Sequence, residues 1–216
     1  MQSSVKWLGA ALLLAASMTG TTAGPASDNL FPAAKDTVWT YAGTAGSTPL
    51  NLTAKVTSST TSAGKTTVVV QWLSNNQPMQ DETYIVSATE VSRAKSGAYG
   101  NNVLTPPIPV IKYPMSVGKS WEWSGMMAMN GGQLKVPASA KLKVAAQEKV
   151  KVGSESLNCY KVDMSVTVTA QGQATTIPAS YWFAPGVGLV KQSSTLPTPD
   201  GKGVVIEATA TKYTIK

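Results

Sequence analysis

The stretch Tyr181-Trp182-Phe183-Ala184-Pro185-Gly186-Val187-Gly188-Leu189-Val190-Lys191 has the composition of a β-hairpin corner. Three aromatic residues lead into a Pro-Gly turn, and a second glycine opens another apolar run. Because glycine tolerates the positive φ of tight turns, Pro185, Gly186 and Gly188 are predicted to be structural turn residues. Strand alternation places Tyr181 and Phe183 on one face and Trp182 on the other. The three aromatics therefore cannot form one continuous surface.

Segments with the alternation of β-strands lie on the N-terminal side of this corner. Apolar and polar residues alternate over 50–57, 138–146 and 157–170, and 66–73 contains a triple-valine run that is apolar on both faces and suits a central strand. Glycine, asparagine or serine turns follow these segments. Apart from the apolar run 7–16, no segment repeats its apolar residues with the period of a helix over several turns. The sequence predicts an all-β fold, a single antiparallel meander of about 10–12 strands. A curved open barrel or half-barrel would bury the apolar faces, and a two-layer β-sandwich is the alternative.

The chain is expected to form one domain after a cleaved leader. Lys6 and the apolar run 7–16 precede small residues that suit a cleavage site, so 1–23 is predicted to be a signal peptide. The run is too short to span a bilayer. Residues 24–35 are expected to be a flexible N-terminal tail, and 36–216 a single β domain. The prolines of about 101–118 predict a segment that crosses between two halves of the sheet.

The composition removes several classes of chemistry. The 216 residues include no histidine and a single cysteine, Cys159. Histidine-dependent catalysis is therefore excluded, and no catalytic residue, metal site or cofactor is predicted. The formal net charge of +7 is carried by lysine, with Arg93 the single arginine. Dispersed lysine favours solubility over specific nucleic-acid binding.

Three motifs resemble a known group of proteins. They are Tyr113–Trp121 (YPMSVGKSW), Val150–Val162 (ending CYKV) and Tyr181–Lys191 (YWFAPGVGLVK). Their order and spacing resemble DUF3108-like exported bacterial proteins of unknown function, although the middle motif lacks that group's Pro-Ala-Gly turn. The resemblance implies a β-rich envelope domain, related to curved half-barrels that carry lipids or lipoproteins, and supplies no active site.

Six aromatic residues form the candidate ligand-binding set: Trp39, Trp121, Trp123, Tyr181, Trp182 and Phe183. Aromatic rings on a concave sheet suit an apolar or sugar ligand, although the same residues could fill a core. Trp39 and Trp182 are expected to be the more exposed tryptophans, because their strand neighbours face the other way. Val117-Gly118-Lys119-Ser120 ends like a phosphate-binding loop, but the required first glycine is Tyr113 and no helix follows.

These observations predict a non-enzymatic, soluble exported protein of the periplasm or the extracellular space. It is expected to bind a lipid or another hydrophobic or amphipathic envelope component, without spanning the membrane. One alternative is a structural or adhesive envelope module that contacts protein or glycan. Another is a hydrolase with an unrecognised carboxylate or Ser/Lys site. No spacing singles out an acid pair among Glu122, Glu148, Glu155, Asp163 and Glu207.

Overall fold

The computed structural model describes residues 29–96, 102–198 and 203–216, and in these ranges twelve antiparallel strands close into one barrel. The strands are β1 (Val38–Ala45), β2 (Thr48–Ser62), β3 (Lys65–Ser74), β4 (Gln77–Val86), β5 (Glu90–Ser96), β6 (Asn102–Lys112), β7 (Ser120–Met129), β8 (Leu134–Val152), β9 (Glu155–Ala170), β10 (Gln173–Ala184), β11 (Gly188–Leu196) and β12 (Val204–Thr214). A short 3-10 turn, Asn130–Gly132, follows β7. No helix in the described ranges has the length and apolar character of a membrane span.

Closure distinguishes this fold from the open barrel expected from the sequence. The predicted antiparallel meander is confirmed, but β1 also pairs with β12, from Val38 opposite Thr214 to Ala45 opposite Ile206. Gly43 permits this pairing, because a Cβ there would lie 1.9 Å from the backbone oxygen of Glu207. The open form was wrong because alternation along each strand carries no information on whether the first and last strands meet.

The proline-rich segment is a strand of the barrel rather than a crossing segment. It forms β6 between β5 and β7, but its ladder with β7 has only three residue pairs. Proline has no backbone N–H to extend the ladder. Past the end of this three-pair ladder, two indole N–H groups of β7 donate to β6. Trp121 donates to the carbonyl of Pro109 (2.8 Å), and Trp123 donates to the carbonyl of Pro106 (3.0 Å). Two tryptophan side chains thus complete the contact between the strands.

The turns of the meander define two ends of the barrel. We call the end with the turns after β2, β4, β6, β8 and β10 the floor end, and the opposite end the mouth end. At the floor end, Gly186 and Gly188 both have positive φ, at 74° and 93°, where β10 turns into β11 after Pro185. A Cβ on Gly188 would also lie 2.9 Å from Cδ of Pro32. At position 188, glycine is therefore required both by its positive φ and by the lack of space for a side chain.

Residues 29–35 pack against the floor end. Leu30 is fully buried and Phe31 is 9% exposed. The N–H of Gly186 donates to the carbonyl of Asn29 (2.8 Å), and the Phe31 and Tyr84 ring centres are 4.7 Å apart. This part of the predicted flexible tail is thus ordered, because its two large apolar side chains are buried. The predicted signal peptide, 1–23, and residues 24–28 lie outside the described residues.

Candidate functional site

The barrel contains a cavity of about 420 Å³ that is lined by residues of β1–β6 and β10–β12 and by Phe31. This volume lies in the range of small-molecule sites, about 300–1,000 Å³. Phe31 and Trp39 line it at the floor end. At the mouth end it reaches Met79, which is 52% exposed. The cavity is therefore covered at one end and reachable from solvent at the other.

Most of the cavity lining is apolar. Because strand residues alternate between faces, every second side chain of these strands points into the barrel. The large apolar and aromatic contributors are Phe31, Trp39, Tyr41, Leu50, Leu52, Val70, Trp72, Met79, Tyr84, Val110, Tyr181, Phe183, Leu189, Leu196 and Ile206. Such a surface favours transfer of hydrocarbon out of water, by about 25 cal/mol for each Å² buried.

One charged pair, Glu82 and Arg93, lies in this apolar lining. Trp72 Nε1 and the Tyr84 hydroxyl donate to Glu82 Oε2, at 3.0 and 2.7 Å. Arg93 Nη1 lies 3.7 Å from Glu82 Oε1, and the two side chains are 14% and 9% exposed, respectively. These are the only charged side chains among the described residues that line the cavity. The site therefore combines a hydrocarbon surface with one internal ionic group.

The guanidinium of Arg93 packs beside two phenol rings, 5.8 Å from the centre of Tyr84 and 5.6 Å from that of Tyr181. Burial works against the charge, but Tyr84, Tyr181 and Glu82 together outweigh it and hold the pKa of Arg93 well above its ordinary value. Burial also raises the pKa of Tyr84 well above its ordinary range, although Arg93 opposes the shift. Arg93 Nε is buried and has no hydrogen-bond partner. The cavity thus holds a permanent cation with an unused donor.

The structure separates the six sequence-predicted aromatics. Trp39, Tyr181 and Phe183 line the cavity, and the rings of the last two are stacked 6.3 Å apart. Trp121 and Trp123 lie outside its lining and fill the space between β6 and β7. Trp182 is on the opposite face of β10 from its two aromatic neighbours, as alternation predicted.

The expectation that Trp39 and Trp182 are exposed is wrong, since they are 5% and 7% exposed. Trp39 is part of the floor, where its Nε1 donates to the Val187 carbonyl (2.6 Å). The Trp182 ring is covered by the ammonium groups of Lys161 and Lys191, 5.3 and 4.9 Å from its centre. Its indole N–H donates to Glu148. Lysine neighbours on adjacent strands can cover an aromatic ring on an outer face, and strand alternation alone does not reveal such neighbours.

The polar cluster of Trp72, Glu82, Tyr84 and Arg93 was not predicted from the sequence. Two signals could have found it. Arg93 is the single arginine of the chain and lies in a strand. Glu82 and Tyr84 are two residues apart in β4, so they share a face, and both are buried. An acid on the same face as a buried aromatic indicates an internal polar group.

The five acids considered for hydrolysis lie outside the cavity lining and have other partners. These are Lys141 for Glu122 (3.7 Å), Lys161 for Asp163 (3.5 Å), Lys191 for Glu207 (2.5 Å), the Tyr213 hydroxyl for Glu155 (2.5 Å) and the Trp182 indole for Glu148.

Within the described ranges, no group of three or more His, Cys, Asp or Glu residues is placed to hold a metal ion. The single cysteine, Cys159, is 1% exposed, and burial raises its pKa to about 11, which disfavours the nucleophilic thiolate.

A second hollow, of about 910 Å³, is lined by residues of β7–β11. Four of its five charged residues form ion pairs, and the fifth, Lys143, is exposed. Asp163 accepts from the Ser180 hydroxyl (2.7 Å) and lies 3.5 Å from the Lys161 ammonium. Lys141 pairs with Glu122 (3.7 Å). Trp121, Leu142 and Met164 also line this hollow, but among its described residues no side-chain donor is buried without a partner, in contrast to Arg93 Nε of the first cavity.

Comparison with known proteins identifies the fold. No family model and no curated protein sequence matches the chain. The crystal structure of a candidate lipoprotein from Parabacteroides distasonis matches with a TM-score of 0.61 at 14% identity, over 86% of this chain and 98% of that one. A candidate exported protein with a YmcC-like fold from Bacteroides fragilis matches with a TM-score of 0.57 at 12% identity, over 85% and 98%. At such identities the likeness concerns the fold alone. The chain therefore shares its β-barrel fold with these two bacterial proteins.

Proposed function

We propose that this chain is a non-enzymatic envelope protein that binds a hydrophobic or amphipathic ligand inside its barrel. The observation that carries the proposal is the apolar cavity of about 420 Å³, which runs from Phe31 at the floor end to Met79 at the mouth end. Protein interiors are normally close-packed, so a volume of this size is a feature that needs an occupant.

Two likenesses support the envelope location and the predicted export. The fold is shared with a candidate lipoprotein and a candidate exported protein. The three motifs that resemble DUF3108-like exported proteins point the same way. The hydrolase alternative is less well supported, because Glu82 is the one carboxylate among the described lining residues and acid-base hydrolysis of glycosides needs two.

The physical basis of binding is transfer of hydrocarbon from water to the cavity. Each methylene group contributes about 0.8 kcal/mol when buried, which corresponds to about a fourfold gain in affinity. We expect affinity for a series of n-alkyl amphiphiles to rise with chain length and to level off when the chain fills the cavity.

Two neighbouring residues of β12 provide a matched test. Ile206 lines the cavity, whereas Val205 is 49% exposed and points to the other face. Ile206→Trp should fill part of the cavity and weaken binding of the neutral fluorophore N-phenyl-1-naphthylamine at least about tenfold. Val205→Trp should bind it like the wild type. Native mass spectrometry after mild purification would show any co-purified occupant. A wild type that binds neither the fluorophore nor any n-alkyl amphiphile, or two tryptophan variants with equal affinity, would contradict the proposal.

A further inference from the structure

We infer that the ligand is a single-chain amphiphile that ends in a carboxylate, and that Arg93 holds this carboxylate inside the barrel. The inference rests on the proposed function, because it names the class of ligand for the same cavity. It concerns the polar cluster around Arg93, whereas the proposed function rests on the apolar volume.

The first step is the unused hydrogen-bonding capacity of Arg93. A guanidinium has five N–H donors in a planar fork. Nη1 faces Glu82 Oε1 at 3.7 Å, longer than the 2.7–2.9 Å typical of a charge-assisted hydrogen bond. Nε is buried without a partner. A buried cation with an unsatisfied donor is costly, and a ligand carboxylate would supply the missing acceptor.

The second step is that Glu82 does not fill this role. Its Oε2 accepts from both Trp72 Nε1 (3.0 Å) and the Tyr84 hydroxyl (2.7 Å), which fix the carboxylate towards β3 and β4. Glu82 thus balances the charge of Arg93 at 3.7 Å and leaves Arg93 Nε without a partner. Tyr181 lines the cavity beside the guanidinium, which lies 5.6 Å from the centre of its ring, and its side chain is hydrogen-bonded to Arg93. A second acceptor in the cavity would complete the cluster.

The third step is the position of the apolar lining relative to Arg93. Arg93 is in the middle of β5, whereas Leu50, Leu196, Ile206 and Met79 lie near the mouth ends of their strands. A ligand with its carboxylate at Arg93 can therefore place its alkyl chain along these residues towards the mouth. The arrangement suits an acyl chain that enters with its headgroup first.

The test compares dodecanoate with dodecan-1-ol, which have the same chain length, as competitors of N-phenyl-1-naphthylamine. Hydrogen bonds to charged groups predict that the wild type binds the acid about ten- to a hundredfold more tightly. The double variant Arg93→Met/Glu82→Gln removes both charges, so that neither is left buried alone. It should lose the preference for the acid over the alcohol.

A second measurement does not depend on the folding of any variant. Dodecanoate labelled with ¹³C at its carboxyl carbon can be titrated while bound to the wild type. Burial and the nearby Glu82 carboxylate raise the carboxyl pKa, whereas a direct contact with Arg93 lowers it, so the inference predicts a pKa below that of the free acid. Equal affinity for acid and alcohol in the wild type, an unchanged preference in the double variant, or a carboxyl that titrates as in free solution would each overturn the inference but leave the proposed function standing. Failure of both amphiphiles and the fluorophore to bind the wild type would overturn both.

Discussion

Lys119 illustrates how single side chains hold the connections of this barrel. Its ammonium donates to the carbonyl oxygens of Lys112 (2.8 Å), Tyr113 (3.1 Å) and Pro114 (2.8 Å). All three of its N–H donors are therefore used between β6 and β7. The motif Val117-Gly118-Lys119-Ser120, which ends like a phosphate-binding loop, therefore has a structural role in the connection between β6 and β7. Its Gly118 has a φ of 90°.

We predict that Lys119→Met lowers the free energy of unfolding by about 1–3 kcal/mol, because three carbonyls lose a charged donor. Urea denaturation followed by tryptophan fluorescence measures the change. Lys135→Met is the control, since this lysine is exposed on β8 and should change stability by less than about 0.5 kcal/mol. Equal effects of the two substitutions would show that the three hydrogen bonds do not stabilise the fold.

At the scale of the strands, β7 shows which features the sequence could and could not predict. Trp121 and Trp123 share an inward face and Glu122 points outward, as alternation predicted. Their hydrogen bonds to Pro109 and Pro106 could not be predicted, because they depend on which strand lies beside β7 and where its ladder ends. Pairing partners are a property of the assembled sheet, and one strand's pattern does not contain them.

The ladder between β1 and β12 depends on Gly43. In Gly43→Ala the added methyl group would collide with the β12 backbone, from which it would be 1.9 Å away at the Glu207 oxygen. Backbone cannot move aside like a side chain, so we expect a loss of about 3 kcal/mol or more, or no folded barrel. Thr44→Ala, at the exposed neighbouring position in β1, should be close to neutral. Thermal denaturation by circular dichroism compares them, and a Gly43→Ala protein as stable as Thr44→Ala would show that β1 and β12 are not paired in solution.

For the whole molecule, the antiparallel order was predictable and the cavity was not. Alternation identifies the inward side chains, but the volume that they leave depends on closure and strand number. The polar cluster around Arg93 could not be predicted for a second reason. Ladder registers shift on both sides of Arg93, between Val91 and Ser92 and between Arg93 and Lys95. Val91 and Ser92 are consequently both buried. Irregular positions such as these interrupt the period-two pattern on which the sequence analysis relied.

Phe31 covers the cavity at the floor end. Phe31→Ala should remove the ring that packs 4.7 Å from Tyr84, lower the free energy of unfolding by about 3 kcal/mol and enlarge the cavity. The chain length at which n-alkyl binding levels off should therefore increase. Val117→Ala is the control, because Val117 is at the same end of the barrel but 56% exposed. Chemical denaturation and the chain-length series measure the two effects, and an unchanged series would show that Phe31 does not close the cavity.

The pairing of β1 with β12 also bears on how the protein acquires its fold. These strands come from opposite ends of the chain, so the barrel cannot close until the last strand is available. Until then, β1 and the most recently added strand are sheet edges with unpaired backbone groups, which readily pair with other chains. Contacts between distant segments also form slowly, because closing the long loop costs entropy. Aggregation is therefore a hazard of the folding chain rather than of the finished barrel, in which every strand has two neighbours among the described residues.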